Sequence, residues 1–293
     1  MADPHAPLVH LVVFSKDRPL QLHGMLTSVF RHWLGAFAVS VLVRNGPEYE
    51  SAYGEVVAEF EDRVFFEGEA DFADDLDLLV GKEDAPLLAF GCDDVVYTLP
   101  VDVRVVAAAF RADPGLLGVS LRLGRHTRAD MFGRELAQPA FALPPGGVRT
   151  FEEYTPDLGA PDLAWDAAGA QGDWGYPWEV LGTVYPTEYV LATVAALRGV
   201  RNPSTLEDAG WRAWGKHAGG RSRMQAFAQA RLVVPTVNLV QTEFGNGIVG
   251  PGGLDPAFLL DCWTRGLRLD VERYRGLAPP SWRVGDLFLR RAG

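Results

Sequence analysis

PLLAFGCDDVVYTLP occupies residues 86–100, an apolar run that ends abruptly in two adjacent acids, Asp93 and Asp94, before aliphatics resume at Val95. The run predicts a buried strand with two carboxylates at its carboxyl end. Upstream, LVHLVVF (8–14) reads as another buried strand, closed by the polar turn SKDRP. Leu22, Met25, Leu26, Val29, Phe30 and Trp33 then recur at helical spacing, with Asp17 as the expected cap and Pro19 in the first turn. The alternation continues with strand 38–45, helix 48–60, strand 63–67, helix 72–80, strand 85–90, helix 101–113 and strand 115–123. Such alternation predicts an α/β fold, a mainly parallel sheet flanked by helices. Ligands bind open sheets of this kind at the carboxyl ends of the strands. SKDRP, RNG (44–46) and GCDD (91–94) all lie at such ends, so the two acids are expected to face a crevice.

Beyond residue 123 the pattern changes. Residues 124–185 read as long loops that cover a site. Helices are expected at 186–198, 204–214 and 254–266, and an extended run at 230–240. The chain therefore divides into an α/β half, 1–123, and an acceptor-side half, 124–293, within one continuous domain. At 293 residues and 48% hydrophobic it can bury a proper core. A formal net charge of −11 and the lack of a basic block argue against nucleic acid as a partner. Leu8–Phe14 is too short to span a membrane and lacks the flanks of a signal peptide. Two cysteines, Cys92 and Cys262, make no disulfide framework and suit a reducing cytoplasm. No G-x-G-x-x-G or P-loop follows the first strand, and no His/Cys pair has zinc spacing.

Each polar cluster has two readings. Asp93 and Asp94 can hold a hard divalent cation, or sit in a solvated turn. Asp17 and Arg18 can contact a base or ribose, or serve the helix start. In DWGYPWEVLGTVYPTE (173–188), Trp174, Trp178 and Glu179 suit a sugar ring, but the same aromatics would also pin a loop to the core. In NPSTLEDAGW (202–211), Glu207 or Asp208 can be a general base. The competing reading is a capping box, Ser204 with Glu207. GKHAGGRSR (215–223) is a basic flap able to reach a diphosphate, or a plain connection. Cys92 reads as a small buried residue.

Taken together, these segments resemble nucleotide-sugar-dependent glycosyltransferases of the GT-A fold, similar to bacterial family 2-like enzymes. LLAFGCDDVV resembles the strand that ends in the family's D-x-D metal motif, with Cys92 in place of the first acid, Asp93 as the middle position and Asp94 as the last acid. The resemblance spans about 10–265, in consistent order through SLRLGRHT, LEDAGW and PTVNLVQTEFGNG. It implies transfer of a sugar from a nucleoside diphosphate donor, UDP-type, to a hydroxyl-bearing acceptor. It implies Mn²⁺ or Mg²⁺ at Asp94 and nucleotide contacts from Ser15, Asp17, Arg18, Arg44, Phe72, Asp75 and Asp93. Trp174, Trp178 and Glu179 fall on the acceptor side, with Glu207 or Asp208 as base. A sugar-phosphate nucleotidyltransferase and a non-catalytic carbohydrate-binding protein are the alternatives.

Overall fold

The structure is a computed structural model that describes residues 6–145, 159–240, 243 and 253–292. Eight strands form its main sheet: β1 Val9–Lys16, β2 Phe37–Arg44, β3 Phe65–Gly68, β4 Leu87–Cys92, β5 Leu116–Ser120, β6 Pro161–Asp166, β7 Thr183–Pro186 and β8 Arg223–Phe227. Their order is β3-β2-β1-β4-β7-β5-β8-β6. The first four are mutually parallel. β7 runs antiparallel between β4 and β5, β8 is parallel to β5, and β6 is antiparallel to β8. The sheet is thus mostly parallel, with two reversed strands.

Alternation along β1 builds two cores. Val9, Leu11 and Val13 pack on one face against helices α1 Pro19–His32 and α2 Glu50–Phe60. Val12 and Phe14 pack on the other against α3 Phe72–Val80, with α4 Val103–Ala112 on the first face. α5 Thr187–Ala196 and α6 Pro203–His217 extend the second face, and α7 Pro256–Thr264 the first. Burial on both faces gives β1 and β4 their largely apolar runs.

The winding sets the position of the crevice. From β1 the chain moves outward through β2 and β3, then returns to β4 on the far side of β1. Crossovers therefore diverge between β1 and β4, which opens a gap above their carboxyl ends. The register puts Phe14 opposite Cys92, so SKDRP and GCDD emerge side by side. A small sheet of Val96–Tyr97, Leu232–Pro235 and Arg283–Val284 carries the C-terminal region to the same place.

Two expectations need correction. Asp17 does not cap α1. It adopts φ 53°, a left-handed turn that Asp tolerates, and its carboxylate accepts the Gly46 N–H at 2.8 Å. β6 and β7 lie inside the stretch expected to be loops, and β8 lies beside the expected flap. These are short strands, and it is partners distant in sequence that give them their pairing. PTVNLVQTEFGNG lies partly outside the described residues.

Close packing makes one position in α6 testable. Gly210 is buried, and a Cβ there would run into the Trp178 indole. Inside a helix, alanine is worth up to ~1 kcal/mol over glycine. Overpacking a buried contact costs about 1–3 kcal/mol. Gly210→Ala is expected to lower the thermal midpoint, and a rise would refute this packing.

Candidate functional site

Asp93 follows β4 directly. Its N–H donates to the Phe14 carbonyl at 3.0 Å, so the strand pairing itself draws the side chain beneath the β1 turn. There its carboxylate accepts the Ser15 hydroxyl and the Lys16 N–H, each at 3.0 Å. Tyr53, reaching over from α2, shares a 2.7 Å hydrogen bond with Ser15 and accepts the Arg18 N–H at 3.0 Å. The Arg18 side chain completes the knot. Its Nη1 donates to Asp93 and Asp94, both at 3.0 Å, and its Nη2 to the Asn238 carbonyl at 2.5 Å.

Burial opposes all these charges, and the pairing decides which survive. Arg18 is only 6% exposed, yet Asp93 and Asp94 outweigh the loss of water and hold its guanidinium above the ordinary value. Burial pushes Asp93 up to about 6, with Arg18 and the Lys16 N–H pulling back. Burial and the two carboxylates push the Cys92 thiol well above its usual value, which leaves it no role as a thiolate.

The knot forms the floor of a cleft of about 920 Å³. Phe14, Lys16, Arg44 and Glu69 line it on the β1–β3 side, with Thr236, Leu239 and Val240 near the knot. Arg122, just past β5, anchors the opposite wall. It is buried, pairs with Asp173 at 3.0 Å and Glu179 at 3.9 Å, and lies 4.8 Å from the Trp282 ring. Trp282 in turn donates to Asp173 at 3.2 Å.

Glu207 enters this wall from α6. The helix start is capped by Asn202, which accepts the Thr205 N–H at 2.9 Å, while Thr205 accepts the Asn202 N–H at 3.1 Å. The expected capping box of Ser204 and Glu207 is replaced by this pair, and Glu207 is left to face the cleft. Burial, then the negative charge of Glu179, pushes its carboxyl up to about 7; Arg122 and a hydrogen bond with the Tyr176 hydroxyl pull it back. Asp208 also lines the cleft, engaged with Arg212 one turn on at 3.0 Å.

The cleft thus gathers Ser15, Arg18, Arg44, Asp93, Asp94, Glu207 and Asp208. Arg44 is exposed and bonded to Glu69 at 3.1 Å. Other candidates lie elsewhere. Phe72 is buried against Phe14, their rings 5.5 Å apart. Asp75 accepts the Ala70 and Asp71 N–H groups at 2.7 and 3.0 Å, bracing the start of α3. Trp174 and Trp178 are fully buried and present no face to a ligand. Glu179 accepts the Leu181 and Thr183 N–H groups at 2.5 and 2.6 Å, which holds the turn into β7. Arg221 bonds Glu188, and Arg223 bonds Asp113, around a separate depression.

Residue-type reasoning passed over Lys16, Arg122, Asp173, Tyr176, Trp211, Trp282 and Arg283, all of which line the cleft. Arg122 had one visible signal, a charge within the strand-like SLRLG. Trp282 and Arg283 had none, because only the small three-stranded sheet brings them here.

No family model matches the sequence. Over 210 residues, 66% of the chain, it is 23% identical to the bifunctional glycosyltransferase pgtA of Dictyostelium discoideum. That stretch is 26% of the relative, so the chain spans about a quarter of its length. Among solved structures, S. aureus TarS is similar with a TM-score of 0.46 at 12% identity, over 76% of this chain and 36% of TarS. The mannosyltransferase PcManGT from Pyrobaculum calidifontis, described in complex with GDP-Man and Mn2+, matches with a TM-score of 0.32 at 17% identity, over 44% of this chain and 42% of its own.

Removing one partner of a buried ion pair costs about 3–5 kcal/mol. Arg18→Met is expected to destabilise the fold on that scale in urea unfolding at pH 8. At pH 5 the loss shrinks, because Asp93, raised to about 6 in the native fold, largely takes up a proton there and leaves less charge unpaired. Equal losses at both pH values would mean that Arg18 contributes packing and not charge.

Proposed function

We propose that this protein is a glycosyltransferase of the GT-A type, moving a sugar from a nucleoside diphosphate donor to a hydroxyl acceptor. One observation carries the reading. A strand-end acid pair at the switch point of the sheet faces, across one cleft, a carboxyl group tuned to neutral pH. The sequence likeness to a curated glycosyltransferase supports it.

In this reading the nucleotide lies over the ends of β1, β2 and β4, against Ser15, Lys16 and Arg44. Asp93 orients the turn and does not touch the donor. Asp94 is 14% exposed at its side chain and gives one oxygen to Arg18, so its other oxygen is the candidate metal contact. Among the described residues no group of three or more His, Cys, Asp or Glu could hold an ion unaided. That donor set fits a Mn²⁺ or Mg²⁺ with one protein carboxylate, the remaining ligands coming from diphosphate and water. When bound, such an ion would offset the charge on the departing diphosphate. Arg283 lies within electrostatic range of both Asp94 and Glu207.

Ionised Glu207 takes the proton of the acceptor hydroxyl. The oxygen attacks the anomeric carbon, the bond to the diphosphate breaks, and a nucleoside diphosphate leaves. A base on the face opposite the leaving group corresponds to inversion. The nucleotidyltransferase alternative is not favoured, because the β1 turn is SKDRP and not a glycine-rich loop. No helix among the described residues is long and apolar enough to cross a membrane. Cys92 and Cys262 are free thiols, which suits a reducing cytoplasm.

A carboxylate base works only when ionised, so the rate should fall as pH drops below about 7. Glu207→Gln should lower kcat by roughly 10²–10⁴. A profile flat through pH 6–8 would exclude Glu207 as base. The same substitution should stabilise the fold more at pH 8 than at pH 5. An unfolded Glu ionises near 4.5 and the folded one near 7, so the cost of burying its charge builds between those values and is complete above them.

Asp94→Ala should reduce UDP affinity in Mn²⁺ to the level measured in EDTA. Identical calorimetric affinities for both proteins under both conditions would remove the metal from this site. Turnover should release nucleoside diphosphate; pyrophosphate would indicate nucleotidyl transfer.

A further inference from the structure

We infer that the acceptor is a carbohydrate, its pyranose ring seated on Trp211 with a hydroxyl directed at Glu207. This rests on the transfer reading above and names the chemistry of its second substrate. Glu207 and Trp211 are four residues apart in α6, which places them on the same side of the helix, one turn apart. Trp211 is 40% exposed and lines the cleft. Among the described residues no other tryptophan is exposed. Tyr176 lies against Trp211, with ring centroids 5.3 Å apart and planes inclined by 26°. The Tyr176 hydroxyl also favours the charged form of Glu207. Tyr176 therefore braces the platform and shapes the environment of the base.

The surroundings select the ligand. An indole face carries negative quadrupole density, so it attracts weakly positive C–H groups laid flat upon it. Asn202, Asp173, Asp208 and Glu207 line the same cleft and can accept or exchange hydrogen bonds. A pyranose offers both features at once: C–H groups on its flat face and hydroxyls around its edge. A lipid chain would leave those polar groups unpaired at a cost. An exposed platform among hydrogen-bonding edges is thus matched by a sugar ring. Trp174 and Trp178, whose sequence setting suits a sugar ring or a core equally, are the buried ones.

The test is saturation-transfer NMR on the full chain with the methyl pyranosides of glucose, galactose, mannose and N-acetylglucosamine. At least one is expected to receive saturation on its ring C–H protons. Trp211→Ala should weaken that glycoside roughly tenfold or more, while Trp211→Phe retains most of the affinity. A cooperative unfolding transition in both variants guards against misfolding. If no glycoside binds the native protein, or Trp211→Ala binds it equally well, the proposal is overturned. Calorimetry with UDP, GDP and CDP separates it from the transfer reading. Nucleotide binding that depends on Asp94, without glycoside binding, would sink the carbohydrate acceptor alone. Glycoside binding that depends on Trp211, without any nucleotide binding, would keep the sugar site and sink the transfer reading.

Discussion

A single guanidinium nitrogen of Arg18 lies 3.0 Å from Asp93 and 3.0 Å from Asp94, and the crevice is organised around that contact. Two adjacent carboxylates near the end of a buried strand repel each other and resist desolvation. The cation set between them makes the arrangement possible. It also joins parts of the chain that are distant in sequence: the β1 turn, the end of β4 and, through Asn238, the segment after Leu232–Pro235. Ser15, Tyr53 and the Lys16 N–H complete the satisfaction of Asp93, so this acid supports the site from below. Asp94 is left as the more exposed acid of the pair.

Two acidic sites of opposite character then share one cavity. At the knot, burial raises the Asp93 carboxyl to about 6, and the buried Arg18 cation with the Lys16 N–H favours its charged form. Across the cleft, Glu207 has a more remote cation in Arg122, a negative neighbour in Glu179 and little water. Its carboxyl accordingly holds its proton to neutral pH. Different partners around buried carboxyl groups divide labour between them. A carboxylate paired with a buried cation suits holding the strand-end turn in place. A group that titrates near neutrality suits accepting a proton.

Much of the first half was legible because its determinants are local. The apolar run of β1, the helical spacing from Leu22 to Trp33 and the abrupt stop at Asp93 each declare themselves within a few residues. The second half was harder. β6, β7 and β8 are short, and their place in the sheet comes from neighbours far along the chain. Trp174 and Trp178 looked like a sugar platform because an aromatic cluster reads alike in a core and in a binding site. Asn202 and Thr205 displaced Ser204 and Glu207 at the start of α6, a choice between adjacent candidates that backbone geometry makes.

By itself, the sequence determined an α/β sheet with polar turns at the strand ends, and therefore an acid pair beside a crevice. Period, burial and turn chemistry are encoded in neighbouring residues, so they survive without a structure. Tertiary structure alone decided which acid faces outward, that Arg18 sits between the two, and that Glu207 meets Arg122, Tyr176 and Glu179. Those outcomes depend on distances between side chains far apart in the chain. Coulombic and desolvation energies vary steeply over those distances, and residue order does not record them.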